Sequence, residues 1–250
     1  MAAKSDVSVR FLGSGDAFGS GGRFQACILV SCDSFRFLLD CGASSLIAMR
    51  RLGVEPLSVD AILVTHLHGD HFGGLPFFIL DGQLISRRTQ PLLVAGPPGV
   101  AARTREAMEV LFPGSSTVER KFAVEFAELT DRAPANIGPL TVTAYELVHA
   151  SGAAAYALRV ECAGKTIAYS GDTEWTDALV EAARGADLFV CEAYFFDKKM
   201  RYHLDYETLM SHREKLGCRR LILTHMSSDM LARLDEIDVE WAEDGKVILV

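Results

Sequence analysis

The chain has 250 residues, 49% of them hydrophobic and 23% charged, with 25 Lys+Arg against 33 Asp+Glu and a formal net charge of −8. That mix excludes disordered, collagen-like and coiled-coil chains, and a chain this long buries one sizeable core, or two fused half-cores, without staples. The acidic balance gives a long polyanion no bulk attraction. No apolar run approaches the ~18 residues of a membrane span.

Alternating or continuously apolar runs predict strands near 7–12, 26–31, 35–40, 61–65, 92–95, 122–128, 140–146, 155–161, 166–170, 188–192, 220–224 and 246–250. Helical periodicity fits 44–52, 75–84, 100–111, 176–183 and 206–216. With no linker or low-complexity tract, this reads as one layered α/β domain over 1–250, in two related halves of roughly 1–135 and 136–250. The halves show in a faint repeat. A strand ending at Asp40 is followed by one ending in Thr65-His66, and a strand leading to Asp172 by one ending in Thr224-His225. The opening residues Met1 to Asp6 hold no signal-peptide core. Six scattered cysteines (Cys27, Cys32, Cys41, Cys162, Cys191, Cys218) form no CxxC pair, so free buried thiols and a cytoplasmic location are expected.

Three tempting motifs fail. In the loop from Gly13 to Gly22 the third glycine of a dinucleotide fingerprint falls on Phe18. Gly164-Lys165-Thr166 has Arg159 where a phosphate loop needs its first glycine, and no GxSxG elbow exists. The stretch 13–22 reads instead as a flexible loop that lets backbone approach a partner.

The informative segment is Thr65-His66-Leu67-His68-Gly69-Asp70-His71-Phe72-Gly73-Gly74-Leu75-Pro76, directly after a buried strand. Three imidazoles and a carboxylate there are costly unless something satisfies them, and a divalent metal does so. Ligands without thiolates suit zinc, manganese or iron at a catalytic site. In an extended turn His66 and His68 share a side while Asp70 and His71 diverge, so two neighbouring ions are the natural reading.

This segment resembles the HxHxDH signature of the metallo-β-lactamase superfamily, and its Phe-Gly-Gly-Leu-Pro continuation is similar to the ribonuclease Z and phosphodiesterase branch. Phe11-Leu-Gly-Ser-Gly15, Leu39-Asp-Cys-Gly42, Ser170-Gly-Asp-Thr173 and Leu223-Thr-His-Met-Ser227 match that branch too, in its order. The resemblance implies an αββα sandwich of two mixed β-sheets flanked by helices. It implies His66, His68 and His149 on one metal, Asp70, His71 and His225 on a second, and Asp172 bridging both. Asp40 would support the metal loop without binding metal. Cys191-Glu-Ala-Tyr194 and Arg201-Tyr-His-Leu204 look like the branch's Glu and His motifs, so the implied catalytic set is Asp70, Asp172, Glu192 and His203.

On that basis the expectation is a hydrolase with two divalent ions, zinc foremost and Mn2+ or Fe2+ as alternatives. A metal-bridging hydroxide would attack a phosphodiester, Asp172 would orient it, and His203, poised by Glu192, would protonate the leaving oxygen. The expected partner is a small anionic phosphodiester or a short RNA end, with no membrane; members are often dimers, so a homodimer stays open. Lys198, Lys199 and Arg201 form a cationic cluster suited to an anionic substrate, and His212 reads as surface. Asp172 follows His149 by 23 positions, too few for the ribonuclease Z arm, which disfavours true tRNA 3′-processing. The alternatives are that endonuclease activity, a glyoxalase II-like thioester or other ester hydrolase, and a non-catalytic metal-binding module.

Overall fold

The computed structural model describes residues 7–250, and the reading of residues 1–6 lies outside them. The chain begins with β1 (Ser8–Gly13), β2 (Cys27–Cys32) and β3 (Phe35–Leu39), which pair as an antiparallel meander. From β3 the pairing turns parallel through β4 (Ala61–Leu63), β5 (Leu92–Gly96) and β6 (Val124–Glu128). The crossovers carry α1 (Ser45–Arg51), then α2 (Gly69–Phe72) and α3 (Leu75–Leu84), then α4 (Val100–Leu111).

The second sheet repeats this plan. β7 (Pro134–Ile137), β8 (Leu140–Glu146), β9 (Tyr156–Cys162) and β10 (Lys165–Tyr169) run antiparallel; β11 (Leu188–Glu192), β12 (Leu221–Thr224) and β13 (Glu240–Trp241) continue parallel. Helices α5 (Asp177–Ala183), α6 (Tyr206–Ser211), α7 (Arg213–Leu216) and α8 (Ser228–Leu231) lie among the latter connections. Finally β14 (Val247–Leu249) returns to the first sheet beside β1. Two seven-stranded mixed sheets result, and the chain has the expected αββα architecture.

The strand sequences explain the layering. Residues alternating along each strand serve two cores: Val9, Phe11, Val30, Leu158, Val160 and Val190 fill the space between the sheets. Their neighbours Leu29, Leu38 and Ile62 pack under α1 and α3, and Ala157, Phe189 and Leu223 pack under α5 and α6. Strands buried on both faces read as continuous apolar runs, which made them visible in the sequence. The β9–β10 hairpin turns on Ala163 (φ 46°) and Gly164 (φ 72°), the two left-handed residues that a two-residue hairpin requires.

Sequence periodicity missed β7 and β13. The former opens on Pro134 and is an edge strand of four residues; the latter has two. The helix expected over 206–216 is broken at His212 (φ −112°, ψ 6°) into α6 and α7. The loop 13–22 is tied down rather than flexible. Buried Asp16 accepts from Phe18 N (3.2 Å), Ser20 N (2.9 Å) and Ser20 Oγ (2.8 Å). Asp244 accepts from Ser14 N (2.9 Å), Ser14 Oγ (2.8 Å) and Phe24 N (2.8 Å).

In both sheets the parallel strands deliver their C-terminal ends to one edge of the sandwich. There the segment after β3 is laced to the turn after β4: Cys41 N donates to His71 O (2.6 Å), Ala43 N to Gly69 O (3.2 Å) and Gly74 N to Cys41 O (2.8 Å). A Cβ at Gly42 would collide with the carbonyl oxygen of Asp70 and press on Gln25. Gly42→Ala is therefore expected to lower unfolding stability by about 1–3 kcal/mol, the usual range for overpacking, as a shifted urea midpoint with unchanged m-value.

Candidate metal centre

His66 follows β4, His68 stands in extended backbone (φ −82°, ψ 150°), and the next residues close a helical turn, α2, rather than the extended turn read from the sequence. That turn changes the geometry of its side chains. Asp70 and His71 do not diverge: Asp70 Oδ2 lies 3.4 Å from His71 Nε2. Across the sandwich, Asp172 follows β10, Glu192 ends β11 and His225 follows β12. His225 has φ 57° and Asp40 φ 60°, a left-handed backbone costly for such residues and held by the hydrogen bonds around it.

Two groups of side chains face one another. In the first, His66, His68 and His149 converge, with His68 Nδ1 3.0 Å from His149 Nε2. In the second, Asp70, His71, Asp172 and His225 converge. His71 Nε2 stands 3.3 Å from His225 Nε2 and 3.3 Å from Asp172 Oδ1; His225 Nε2 stands 3.2 Å from Asp70 Oδ2 and 3.5 Å from Asp172 Oδ2. Asp172 also reaches the first group, with Oδ2 3.9 Å from His66 Nε2. Ligand atoms placed tetrahedrally around an ion at ~2.0–2.1 Å stand ~3.3–3.4 Å apart. The second group has that spacing.

The outer partners fix which atoms face inward. Asp40 Oδ2 lies 2.6 Å from His71 Nδ1, so that nitrogen carries the proton and Nε2 is left for the cluster. Thr65 donates its backbone N–H (2.8 Å) and its hydroxyl (2.9 Å) to Asp40, so its lone pair receives His66 Nδ1 at 3.0 Å. His149 Nδ1 donates to Tyr202 O at 2.8 Å. His66 Nε2 and Asp172 Oδ1 are buried and make no hydrogen bond among the described residues. Polar atoms stranded this way are expensive unless a cation takes their lone pairs.

The charges agree. Burial, reinforced by His71, holds His66 neutral with its pKa well below the usual histidine value. Burial pushes the Asp70 and Asp172 carboxyls up, but the surrounding imidazoles win and hold both well below the usual range. Burial likewise opposes charge on His71 and His225, yet the carboxylates, Asp172 foremost, raise both. Neutral His66 and the ionised Asp70 and Asp172 are donors that a hard-to-borderline divalent ion takes as they stand, whereas His71 and His225 would bind one by releasing their protons.

A further group, Asp172, Glu192, His203 and His225, shares two residues with the second. Here the pairing is internal. Glu192 is fully buried and accepts from Thr173 N through one oxygen and from His203 Nδ1 at 2.9 Å through the other. Burial lowers the pKa of His203, but the Glu192 carboxylate overrides it and raises it to about 9. Tyr194 stacks on the His203 ring at 4.6 Å. His68, Asp70, Asp172, Tyr194, His203 and His225 all border one open cavity of about 380 Å³.

Some expectations need correction. His212 is half-buried rather than surface, stacked on Trp175 at 4.1 Å and 20°. The cationic cluster is largely spent on neighbours. Lys199 Nζ donates to Asp205 (2.7 Å), Lys198 lies 4.7 Å over Phe195 and Arg201 4.6 Å over Tyr202. Thr65, Asp16 and Asp244 were not singled out as site residues, although Thr65 stood in the motif itself.

A family model described as anti-Pycsar protein Apyc1 matches residues 7–246. The chain belongs to the Apyc1 family. This Apyc1-family chain is 27% identical to the ribonuclease Z of Methanosarcina acetivorans over 89% of its own length and 88% of that protein's. Among solved structures, human tRNase Z, short form, superposes with a TM-score of 0.78 at 27% identity, covering 96% of this chain and 98% of that one. The metallo-β-lactamase fold protein YhfI from Bacillus subtilis gives 0.79 at 20% identity, covering 99% and 100%. The Apyc1-family chain thus has the metallo-β-lactamase fold, falls in the ribonuclease Z-like branch and is a metal-dependent hydrolase. No helix among its described residues is long and apolar enough to cross a membrane.

Removing one outer partner tests the orientation argument. Asp40→Asn is expected to weaken metal binding about 10–100-fold, the usual cost of losing such a partner. Competition against a chromophoric chelator measures it, and an unchanged affinity would remove Asp40 from this role.

Proposed function

We propose that this Apyc1-family protein hydrolyses a phosphodiester, with two divalent ions, zinc foremost, held by His66, His68 and His149 on one side and Asp70, His71 and His225 on the other. Asp172, with an oxygen toward each group, would bridge them. When bound, the ions supply Lewis acidity: they make water a nucleophile near neutral pH and offset charge on the phosphate oxygens. Among the chain's own groups, Asp172 orients the attacking water. His203 delivers a proton through Nε2, since Nδ1 is committed to Glu192 at 2.9 Å.

The His203–Glu192 pair on the wall of the metal-facing cavity carries this reading. A departing alkoxide needs a proton, whereas a thiolate, with an unperturbed pKa near 8.5, leaves without one. A thioester hydrolase would have no use for so carefully seated an acid. The full set of inward-facing donors likewise speaks against a non-catalytic metal-binding module.

A small diester or short RNA end fits better than a whole tRNA. Between His149 and Asp172 the chain forms little more than the β9–β10 hairpin, with no protruding arm. Free thiols at all six cysteines suit a reducing cytoplasm.

Metal-loaded protein should turn over bis(p-nitrophenyl) phosphate and leave S-lactoylglutathione untouched; the reverse preference would overturn the assignment. On a diester with an unactivated alkoxide leaving group, which unlike p-nitrophenolate needs a proton, His203→Ala should lower kcat about 10²–10⁴-fold while elemental analysis still finds its metal. The pH profile gives the sign of the Glu192 contribution. A raised His203 pKa keeps the acid protonated to higher pH, and activity is lost as pH rises through that value. Glu192→Gln removes the carboxylate that raises it, so the alkaline limb of kcat should move to lower pH.

A further inference from the structure

Between β11 and α6 the chain makes a tight turn in which His203 N donates to Met200 O at 3.3 Å and Tyr202, the third residue, has φ 72°. A positive φ at that position of a turn favours glycine, because a Cβ there crowds the backbone. Left-handed strain in a larger residue persists only where its surroundings over-determine the conformation. Here they do so from two sides. Glu174 Oε1 accepts from Tyr202 N at 3.1 Å, and Tyr202 O accepts from His149 Nδ1 at 2.8 Å. The peptide that follows carries His203, whose ring lies 5.3 Å from that of His149. One strained turn therefore holds a member of the first imidazole group and the histidine paired with Glu192.

Glu174 is itself tied back to the strand ends. Its N–H donates to Val148 O at 3.3 Å, its carbonyl accepts from Thr173 Oγ1 at 2.7 Å, and that hydroxyl oxygen accepts from Val148 N at 3.2 Å. The segments 148–149, 173–174 and 202–203 are thus laced into one unit, two residues from Asp172. Glu174 does not border the metal-facing cavity; it lines an adjoining one of about 210 Å³ on the other side of His203 and Met200. Whatever it contributes, it contributes through the turn.

We propose that Glu174 is a positioning residue: by accepting the Tyr202 N–H it holds the turn that aims His149 at the metal and, resting on the phosphodiester reading above, seats His203 as the acid. The acceptor oxygen does this, so an amide in the same place serves as well as the carboxylate. Because both histidines hang on one peptide, a loosened turn costs metal affinity and proton delivery together.

The test compares wild type, Glu174→Ala and Glu174→Gln. Competition for Zn2+ against a chromophoric chelator should show Glu174→Ala weakened about 10-fold, the lower end of the range for losing an outer partner. At saturating zinc its kcat should fall about 10-fold on the dinucleotide UpU, whose alkoxide leaving group needs a proton, and little on bis(p-nitrophenyl) phosphate, a fraction of the ~10²–10⁴-fold carried by an intact general acid. Glu174→Gln should restore both readouts. Tyr202→Gly adopts the turn without strain, so in that background Glu174→Ala should cost less on both. If urea denaturation shows that Glu174→Ala does not fold, Glu174→Asp, whose shorter side chain withdraws the oxygen from Tyr202 N, takes its place in every comparison. Unchanged zinc affinity, equal kcat losses on the two esters, an amide variant as impaired as the alanine, or an undiminished loss beside Tyr202→Gly would each overturn the proposal. Zinc affinity lost in Glu174→Ala and regained in Glu174→Gln, in a protein that cleaves neither ester, would sink the phosphodiester reading and leave the positioning of His149 standing.

Discussion

A buried carboxylate, Asp172, stands between imidazoles drawn from both sheets, 3.3 Å from His71, 3.5 Å from His225 and 3.9 Å from His66. The rest of the site follows from how that burial is made tolerable. An isolated carboxylate sealed from water is strongly disfavoured, and it persists here because protonated or metal-coordinating partners converge on it. Those partners come from the ends of β4 and β12 and from α2, so the arrangement exists only when the two sheets are packed face to face. Folding of the sandwich and assembly of the centre are the same event.

Around the centre, a layer of hydrogen bonds converts strand positions into side-chain directions. Asp40 holds Thr65 and His71; Thr65 in turn holds His66; the Tyr202 carbonyl holds His149. Each link settles which ring nitrogen bears the proton, so the lone pairs facing the centre are preset rather than recruited. The left-handed backbone at Asp40 and His225 is part of this arrangement, with strain retained where surrounding bonds over-determine the conformation.

Much of the centre was legible because its residues stand at strand ends, where an apolar run stops and a histidine or aspartate follows. Asp40, His66, Asp172, Glu192 and His225 all announce themselves so. What was illegible arises from long-range contacts. Asp16 and Asp244 look like ordinary loop acids until the fold brings Asp244 within 2.9 Å of Ser14, 230 positions away. The break of the final helical stretch at His212 accompanies stacking on Trp175, which no helical periodicity encodes. The repeat was half informative. Asp40 and Asp172 each follow the last antiparallel strand of their sheet, but β12 lies two strands from β10 whereas β4 adjoins β3. The strand that takes the place of β4 in the second sheet is β11, and it ends in Glu192.

That displacement separates two jobs. The strand beside β10 presents the glutamate that steadies His203, and the strand beyond it presents His225 to the metal-facing cluster. The cavity they border contains two carboxylates and, among its lining residues, neither lysine nor arginine. A chain of net charge −8 therefore offers an anionic substrate no permanent cationic side chain at this point. On the phosphodiester reading proposed above, the attraction for the substrate would come from bound metal and from protonated His203. Dependence on metal would then extend beyond the chemical step: without it, the same carboxylates that would hold it would repel an anionic substrate.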